Sequence, residues 1–187
     1  MQPLPPDTTL VVIDVQQAFN HPRWGQRNNP GAEARAADLL RAWREARRPI
    51  VHVHHVNPQP GSLFNPGGPG VAPKPEVTPE PGEPVITKSV NSAFIGTPLE
   101  DHLRSRGVTT VVLFGITTDH CVSTTARMAG NLGFVTYVVA DATATFERTA
   151  PNGRRYTAEE MHDTALTSLS GEFATVVDTA DVLAALD

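Results

Sequence analysis

VVLFGITTDHCVSTTARMAGNLG, residues 111–133, reads as a strand, a break and a helix. Val111 to Phe114 are consecutive apolar residues, the pattern of a strand buried on both faces. Gly115 interrupts it, small polar residues follow, and a helix is expected to begin near Asp119. Cys121, the only cysteine of the chain, then falls in the first turn of that helix.

The same alternation extends outward in both directions. Thr9 to Ile13 (TLVVI) is a β-branched strand ending in Asp14, Ile50 to Val56 (IVHVHHV) a second, and Pro84 to Thr87 a third ending in Lys88. Phe134 to Ala140 and Glu172 to Val177 supply the fifth and sixth. Between them, Ala36, Leu39, Leu40 and Trp43 recur at helical spacing over Ala32–Arg48, with Pro49 as the stop. PLEDHLRSRG predicts a second helix, closed by Gly107. Thr157 to Leu169 opens on TAEE, a capping-box pattern, and Thr179 to Leu186 closes the chain. Strands alternating with helices imply an α/β fold: a doubly wound, six-stranded parallel sheet of order 3-2-1-4-5-6, helices on both faces, in a single domain over residues 1–187. Asn57 to Glu83, with its Pro/Gly-rich FNPGGPG, has no periodicity. A loop of this length is a lid, a binding loop or a subunit contact.

The totals exclude several classes. At 187 residues, 40% apolar and 19% charged, the chain is long enough for a full core, and its net charge of −5 argues against nucleic acid or an anionic membrane as partner. No run of 18 apolar residues exists, and MQPLPPDTTL lacks the basic and apolar regions of a signal peptide, so a cytoplasmic location is expected. One cysteine forms no internal disulfide. No G-x-G-x-x-G follows the first strand, which removes a dinucleotide-binding reading.

In a sheet of that order, strands one and four are neighbours at the topological switch point, where ligands bind beyond the strands' carboxyl ends. Asp14 and Cys121 both fall there. Lys88 lies two strands away, about 10 Å before twist, a gap that a long side chain and a little loop can cover. Singly, each has a structural reading: a core cysteine, a turn aspartate, an exposed lysine. Together they form an acid, a base and a thiol. Only the thiolate attacks, and a free thiol has a pKa of about 8.5. A helix N-terminus and an ammonium favour the thiolate, Asp14 can take the proton, and free N–H groups at the helix start can hold an oxyanion.

LVVIDVQQAF, VITKSVNSAFIGTPLE and VVLFGITTDHCVSTTARMAGNLGF carry a further signal. With D-x-Q, K-x-x-x-S-A-F and G-x-x-T-x-x-C-V at these separations, the chain resembles the isochorismatase-like cysteine hydrolase superfamily over nearly its whole length. That superfamily includes nicotinamidases, N-carbamoylsarcosine amidohydrolase, and ureidoacrylate and biuret amidohydrolases. The resemblance implies Cys121 as nucleophile, Asp14 as general base and Lys88 as the group that holds both and stabilises the thiolate. It also implies a cis peptide joining Ile116 to Thr117, and an oxyanion hole from the N–H groups of Thr117 and Cys121. The reaction implied cleaves a C–N bond of a small amide, carbamoyl or ureido compound through a thioester, without a cofactor. True isochorismatases cleave a vinyl ether and do not use this cysteine.

Phe19, Trp24, Phe64, Asn91 and Phe94 are the expected pocket walls, with His120 at the entrance or a subunit contact. The resemblance implies a homodimer or homotetramer, with the Pro/Gly loop as a candidate contact. Nicotinamidases hold a metal with an Asp-x-His pair on strand two and a further histidine. Here that stretch is VHVHHVNP, without the aspartate, and His52 and His54 on one strand face are the weak metal candidates. Two other readings stand beside the cysteine amidohydrolase: a metal-assisted nicotinamidase, and a non-catalytic α/β module that binds a ligand or partner in the same crevice.

Overall fold

The structure is a computed structural model that describes residues 1–186. In chain order its regular elements are β1 (Thr9–Ile13), α1 (Ala32–Glu45), β2 (Ile50–His55), β3 (Val85–Lys88), α2 (Leu99–Arg104) and β4 (Thr110–Gly115). There follow α3 (Ser123–Asn131), β5 (Val135–Val139), β6 (Arg148–Thr149), β7 (Arg155–Tyr156), α4 (Ala158–Leu169), β8 (Thr175–Val177) and α5 (Thr179–Ala184). Six strands form one parallel sheet of order β3-β2-β1-β4-β5-β8, the doubly wound order expected, while β6 and β7 make a separate antiparallel hairpin.

Why the central strands read as unbroken apolar runs is visible in the packing. Successive β1 side chains alternate between two cores, as the period of two requires. Leu10 and Val12 join a layer with Ala36, Leu39, Leu40 and Trp43 of α1 and Val182 of α5. Val11 and Ile13 join the opposite layer with Leu99, Leu103, Ala126, Ala129, Leu166 and Leu169 of α2, α3 and α4. Thr157 closes the anticipated capping box: its side chain accepts from the Glu160 N–H at 3.1 Å while the Glu160 carboxylate accepts from the Thr157 N–H at 2.8 Å.

Three of the boundaries that differ from the sequence reading have a visible cause. Helix α1 stops at Glu45 because Arg47 turns left-handed (φ 54°) and the Arg48 N–H returns to the Trp43 carbonyl at 2.9 Å, a reversal usually given to glycine. The last sheet strand begins at Thr175, since Phe173 and Ala174 still donate to the Leu169 carbonyl at the end of α4. The helix expected from Asp119 begins as a turn of π-helix, Thr118–Val122, before α3.

The Pro/Gly loop is anchored rather than free. It contains short 3-10 turns at Pro69–Val71 and Pro75–Val77 and runs beside the segment after β1, with Gln17 N–H to Ala72 O and Lys74 N–H to Val15 O both at 2.9 Å. Lys74 is buried and paired with Glu33 of α1 at 2.6 Å, which ties the loop to the body. No helix among the described residues is long and apolar enough to cross a membrane.

Candidate active site

The carboxyl ends of β1, β3 and β4 meet at the switch point. Parallel register pairs Ile13 with Gly115 and His55 with Lys88, so Asp14, Lys88 and the turn after β4 leave the sheet at one level. Asp14 follows β1 in a left-handed conformation (φ 53°), uncommon for a residue with a β-carbon and frequent at functional sites. Gly115 (φ 145°) is where β4 passes closest to β1: a β-carbon there would run into the Ile13 carbonyl, so only glycine lets the two strand ends approach.

Lys88 is the hub. Its Nζ lies 2.6 Å from Asp14 Oδ2, 3.3 Å from Cys121 Sγ, 3.2 Å from His55 Nδ1 and 3.1 Å from the Val90 carbonyl. The side chains of both Lys88 and Asp14 are wholly buried, and Cys121 is nearly so. The Lys88 ammonium is the nearest partner of the Asp14 carboxylate, and the Cys121 thiol and the backbone at His55 also interact with it. A carboxylate oxygen of Asp14, a ring nitrogen of His55 and the sulfur lie within 4.8 Å of one another.

Burial dominates the electrostatics. It raises Asp14 above the usual carboxylate range, against the pull of the Lys88 charge. It also pushes the Cys121 thiol up, and the negative charge on Asp14 adds to that rise. The sequence reading favoured a thiolate stabilised by the helix start and the ammonium. In the folded site desolvation and the Asp14 charge act against both.

The turn that carries Cys121 is pinned from several sides. The Ile116–Thr117 peptide is cis. Thr118 donates its N–H to the Ala144 carbonyl at 3.0 Å, and its hydroxyl meets His162 Nδ1 of α4 at 2.8 Å. Asp119 accepts from the Thr145 hydroxyl at 2.5 Å and from Arg148 Nε at 3.1 Å. The Thr117 N–H has no acceptor among the described loop and cap hydrogen bonds, and Thr117 lines the cavity beside Cys121.

That cavity has a volume of about 220 Å³, below the span of drug-sized ligand sites, and is a place for a small molecule. Asp14, Thr117 and Cys121 form its floor, and Phe19, Trp24, Phe64, Asn91 and His120 all line it. Phe19 packs 5.2 Å from both Trp24 and Phe64, making one aromatic wall. Phe94 does not belong to the wall. It stacks on Phe134 at 6.0 Å inside the α2–α3 core layer, because the chain after Lys88 turns that ring under the sheet rather than over the crevice.

His55, Arg23, Asn57 and Ser62 also line the cavity and were not among the expected residues. The period of two already separates His55 from His52 and His54; what the sequence lacks is the register that sets it beside Lys88. Gln16, the last letter of D-x-Q, is fully buried and fixes that strand end. It accepts from the His55 N–H at 2.8 Å and donates to the carbonyls of His55 at 3.0 Å and Val71 at 2.9 Å.

The candidates His52 and His54 join no group of three or more potential metal ligands among the described residues. His52 Nε2 is taken by Glu83 at 2.8 Å. Asp14, His55 and Cys121 do converge, but the Lys88 ammonium lies within 3.3 Å of all three. A cation supplied by the chain already stands where a metal would sit.

Comparison with known proteins agrees with this architecture. A model of the isochorismatase domain matches residues 8–181. YrdC, an isochorismatase family protein of Bacillus subtilis (strain 168), is 46% identical over 174 residues, 93% of each chain. The crystal structure of a hydrolase of the isochorismatase family from Chromobacterium violaceum superposes with a TM-score of 0.96 at 47% identity, covering 100% of this chain and 98% of that one. The ureidoacrylate amidohydrolase RutB of Methylobacterium radiotolerans is 31% identical, with 97% of this chain and 80% of RutB covered.

Proposed function

The chain belongs to the isochorismatase family, and we propose that it is a cysteine-dependent amidohydrolase that cleaves a C–N bond of a small amide, carbamoyl or ureido compound. One observation carries the proposal: a buried carboxylate and the only thiol of the chain, both lining a small cavity, meet the buried Lys88 Nζ at 2.6 and 3.3 Å. A fold has no need to bury these groups together, since taking charges out of water costs stability.

Asp14 takes the proton from the Cys121 thiol as the sulfur attacks the carbonyl carbon. Its elevated proton affinity suits that task. Negative charge then moves to the carbonyl oxygen, where the free N–H of Thr117, with that of Cys121, is positioned to donate. Lys88 keeps carboxylate and sulfur in register. Asp14 returns the proton to the departing nitrogen, the C–N bond breaks, and a thioester on Cys121 remains. Water, deprotonated by the same carboxylate, attacks the thioester, and the acid leaves with the thiol restored.

The test is ammonia release from a panel of nicotinamide, pyrazinamide, N-carbamoyl amino acids, biuret and ureidoacrylate, repeated with hydroxylamine present. An acyl-enzyme divides between water and hydroxylamine in a ratio set by the acyl group alone. An amide and an N-methylamide of one acid should therefore give the same proportion of hydroxamate. A proportion that follows the leaving amine would rule out the shared intermediate.

A further inference from the structure

His55 lies in the middle of the site and has no part in the steps above. Its Nδ1 is 3.2 Å from Lys88 Nζ. An ammonium has three N–H donors and no lone pair, so at 3.2 Å it favours a facing Nδ1 that carries no proton, against the Val90 carbonyl, which would take a ring N–H. A neutral imidazole carries its single proton on the other nitrogen, Nε2. Neutrality is supported by burial and the adjacent ammonium, which hold the ring at a pKa of about 4. Two further contacts hold the residue, one at its backbone and one at its ring. The Gln16 carboxamide grips the His55 backbone on both its N–H and its carbonyl, and Phe64 meets the ring edge-on at 5.1 Å between centroids, 85° between planes. Nε2 has no partner among the described hydrogen bonds, and the residue lines the substrate cavity next to Asn57 and Asn91.

We propose that His55 is a substrate-binding, specificity-determining residue: locked by Lys88 in its Nε2–H tautomer, it presents one hydrogen-bond donor to the cavity, selecting small amides or ureides that carry a second acceptor besides the scissile carbonyl. This rests on the amidohydrolase reading above. A donor fixed by a lysine on one side and an aromatic edge on the other is preorganised, so a substrate with a matching carbonyl or ring nitrogen binds without ordering the ring. One that lacks the acceptor leaves the N–H unpaired in a confined cavity, which costs affinity.

Two measurements test it. In ¹⁵N-histidine-labelled enzyme bearing Cys121→Ser, which binds without turning over, His55 should show a protonated Nε2 and a bare Nδ1 at neutral pH. The Nε2–H resonance should shift with nicotinamide, whose ring nitrogen is an acceptor, and not with benzamide. A His55 proton on Nδ1, or equal shifts with both amides, would overturn the proposal whatever the enzyme hydrolyses. Turnover supplies the second arm. His55→Gln, whose amide N–H₂ can stand in for Nε2–H, should keep KM within about threefold. His55→Phe, which retains the contact with Phe64, should raise KM for acceptor-bearing substrates roughly tenfold, the scale of one hydrogen bond, with a smaller change in kcat. Equal KM in both variants would contradict the role. If no compound of the panel is hydrolysed, the amidohydrolase reading fails while the tautomer still reports on His55.

Discussion

Two acids, the wholly buried Asp14 and the partly buried Glu83, lie at opposite ends of the same sheet and are treated in opposite ways. At the amino end, Glu83 precedes β3 and accepts two bonds from Arg44 at 2.8 and 2.9 Å, one from His52 at 2.8 Å and one from the Glu80 N–H at 2.9 Å. Burial alone would raise its pKa, but those bonds, Arg44 first, bring it down to about 2. At the carboxyl end, Asp14 is wholly buried against Lys88, Cys121 and the backbone at His55, and desolvation outweighs their pull, so its pKa rises. The carboxylate ringed by donors is held down in pKa, and the one sealed from water beside a thiol is held up, which is what the proposed base requires.

Substitutions can break this contrast. Cys121→Ala should lower ammonia release by at least about 10⁴-fold with a stability change under about 1 kcal/mol. Asp14→Asn should cost about 10³-fold in kcat, the range of a lost general base. If either kept substantial activity, the reactive end of the comparison would be wrong. Phe94→Ala should destabilise the fold by about 3 kcal/mol and leave KM alone, whereas Phe64→Ala should raise KM; thermal unfolding and steady-state kinetics separate the two. Glu83→Gln should cost about 2 kcal/mol, somewhat less than breaking a fully buried pair because the site is partly wet, with kcat within about twofold.

The pH dependence separates the ends by sign. Glu83 has a folded pKa of about 2 against an ordinary 4.5. Its contribution to stability is therefore complete above 4.5 and fades as pH falls from there toward 2. Asp14 is shifted upward from 3.8, so ionising it in the fold costs stability as pH rises above 3.8, and the base is lost as pH falls through its raised value. Denaturant titrations of Glu83→Gln should flatten the acid limb of stability. The acid limb of kcat/KM should lie above pH 3.8 and be unchanged by that variant.

The fold was legible because β1 and β4 are continuous β-branched and apolar runs that end in Asp14 and Gly115, a pattern only a doubly covered parallel sheet satisfies. Asp14, Lys88 and Cys121 were legible because each ends or follows a strand, so topology alone brings them to one edge. His55 was not, since its place beside Lys88 depends on the β2–β3 register, which alternation does not specify. Phe94 was misread for a related reason: an aromatic residue in a loop after a strand can fold over the crevice or under the sheet, and three-dimensional packing against Phe134 decides. The balance between charge and burial at Cys121 also needs coordinates, because a helix start reads as favouring a thiolate until its depth is known.

The central claim, that the carboxyl end of the sheet acts through the Cys121 sulfur, has a direct test in the single cysteine of the chain. The enzyme is alkylated with iodoacetamide at alkaline pH until mass spectrometry shows one carboxamidomethyl group on Cys121, and ammonia release is then assayed on a substrate turned over by the untreated protein. The account predicts that release stops in proportion to the fraction labelled. Undiminished release from fully labelled enzyme would contradict it.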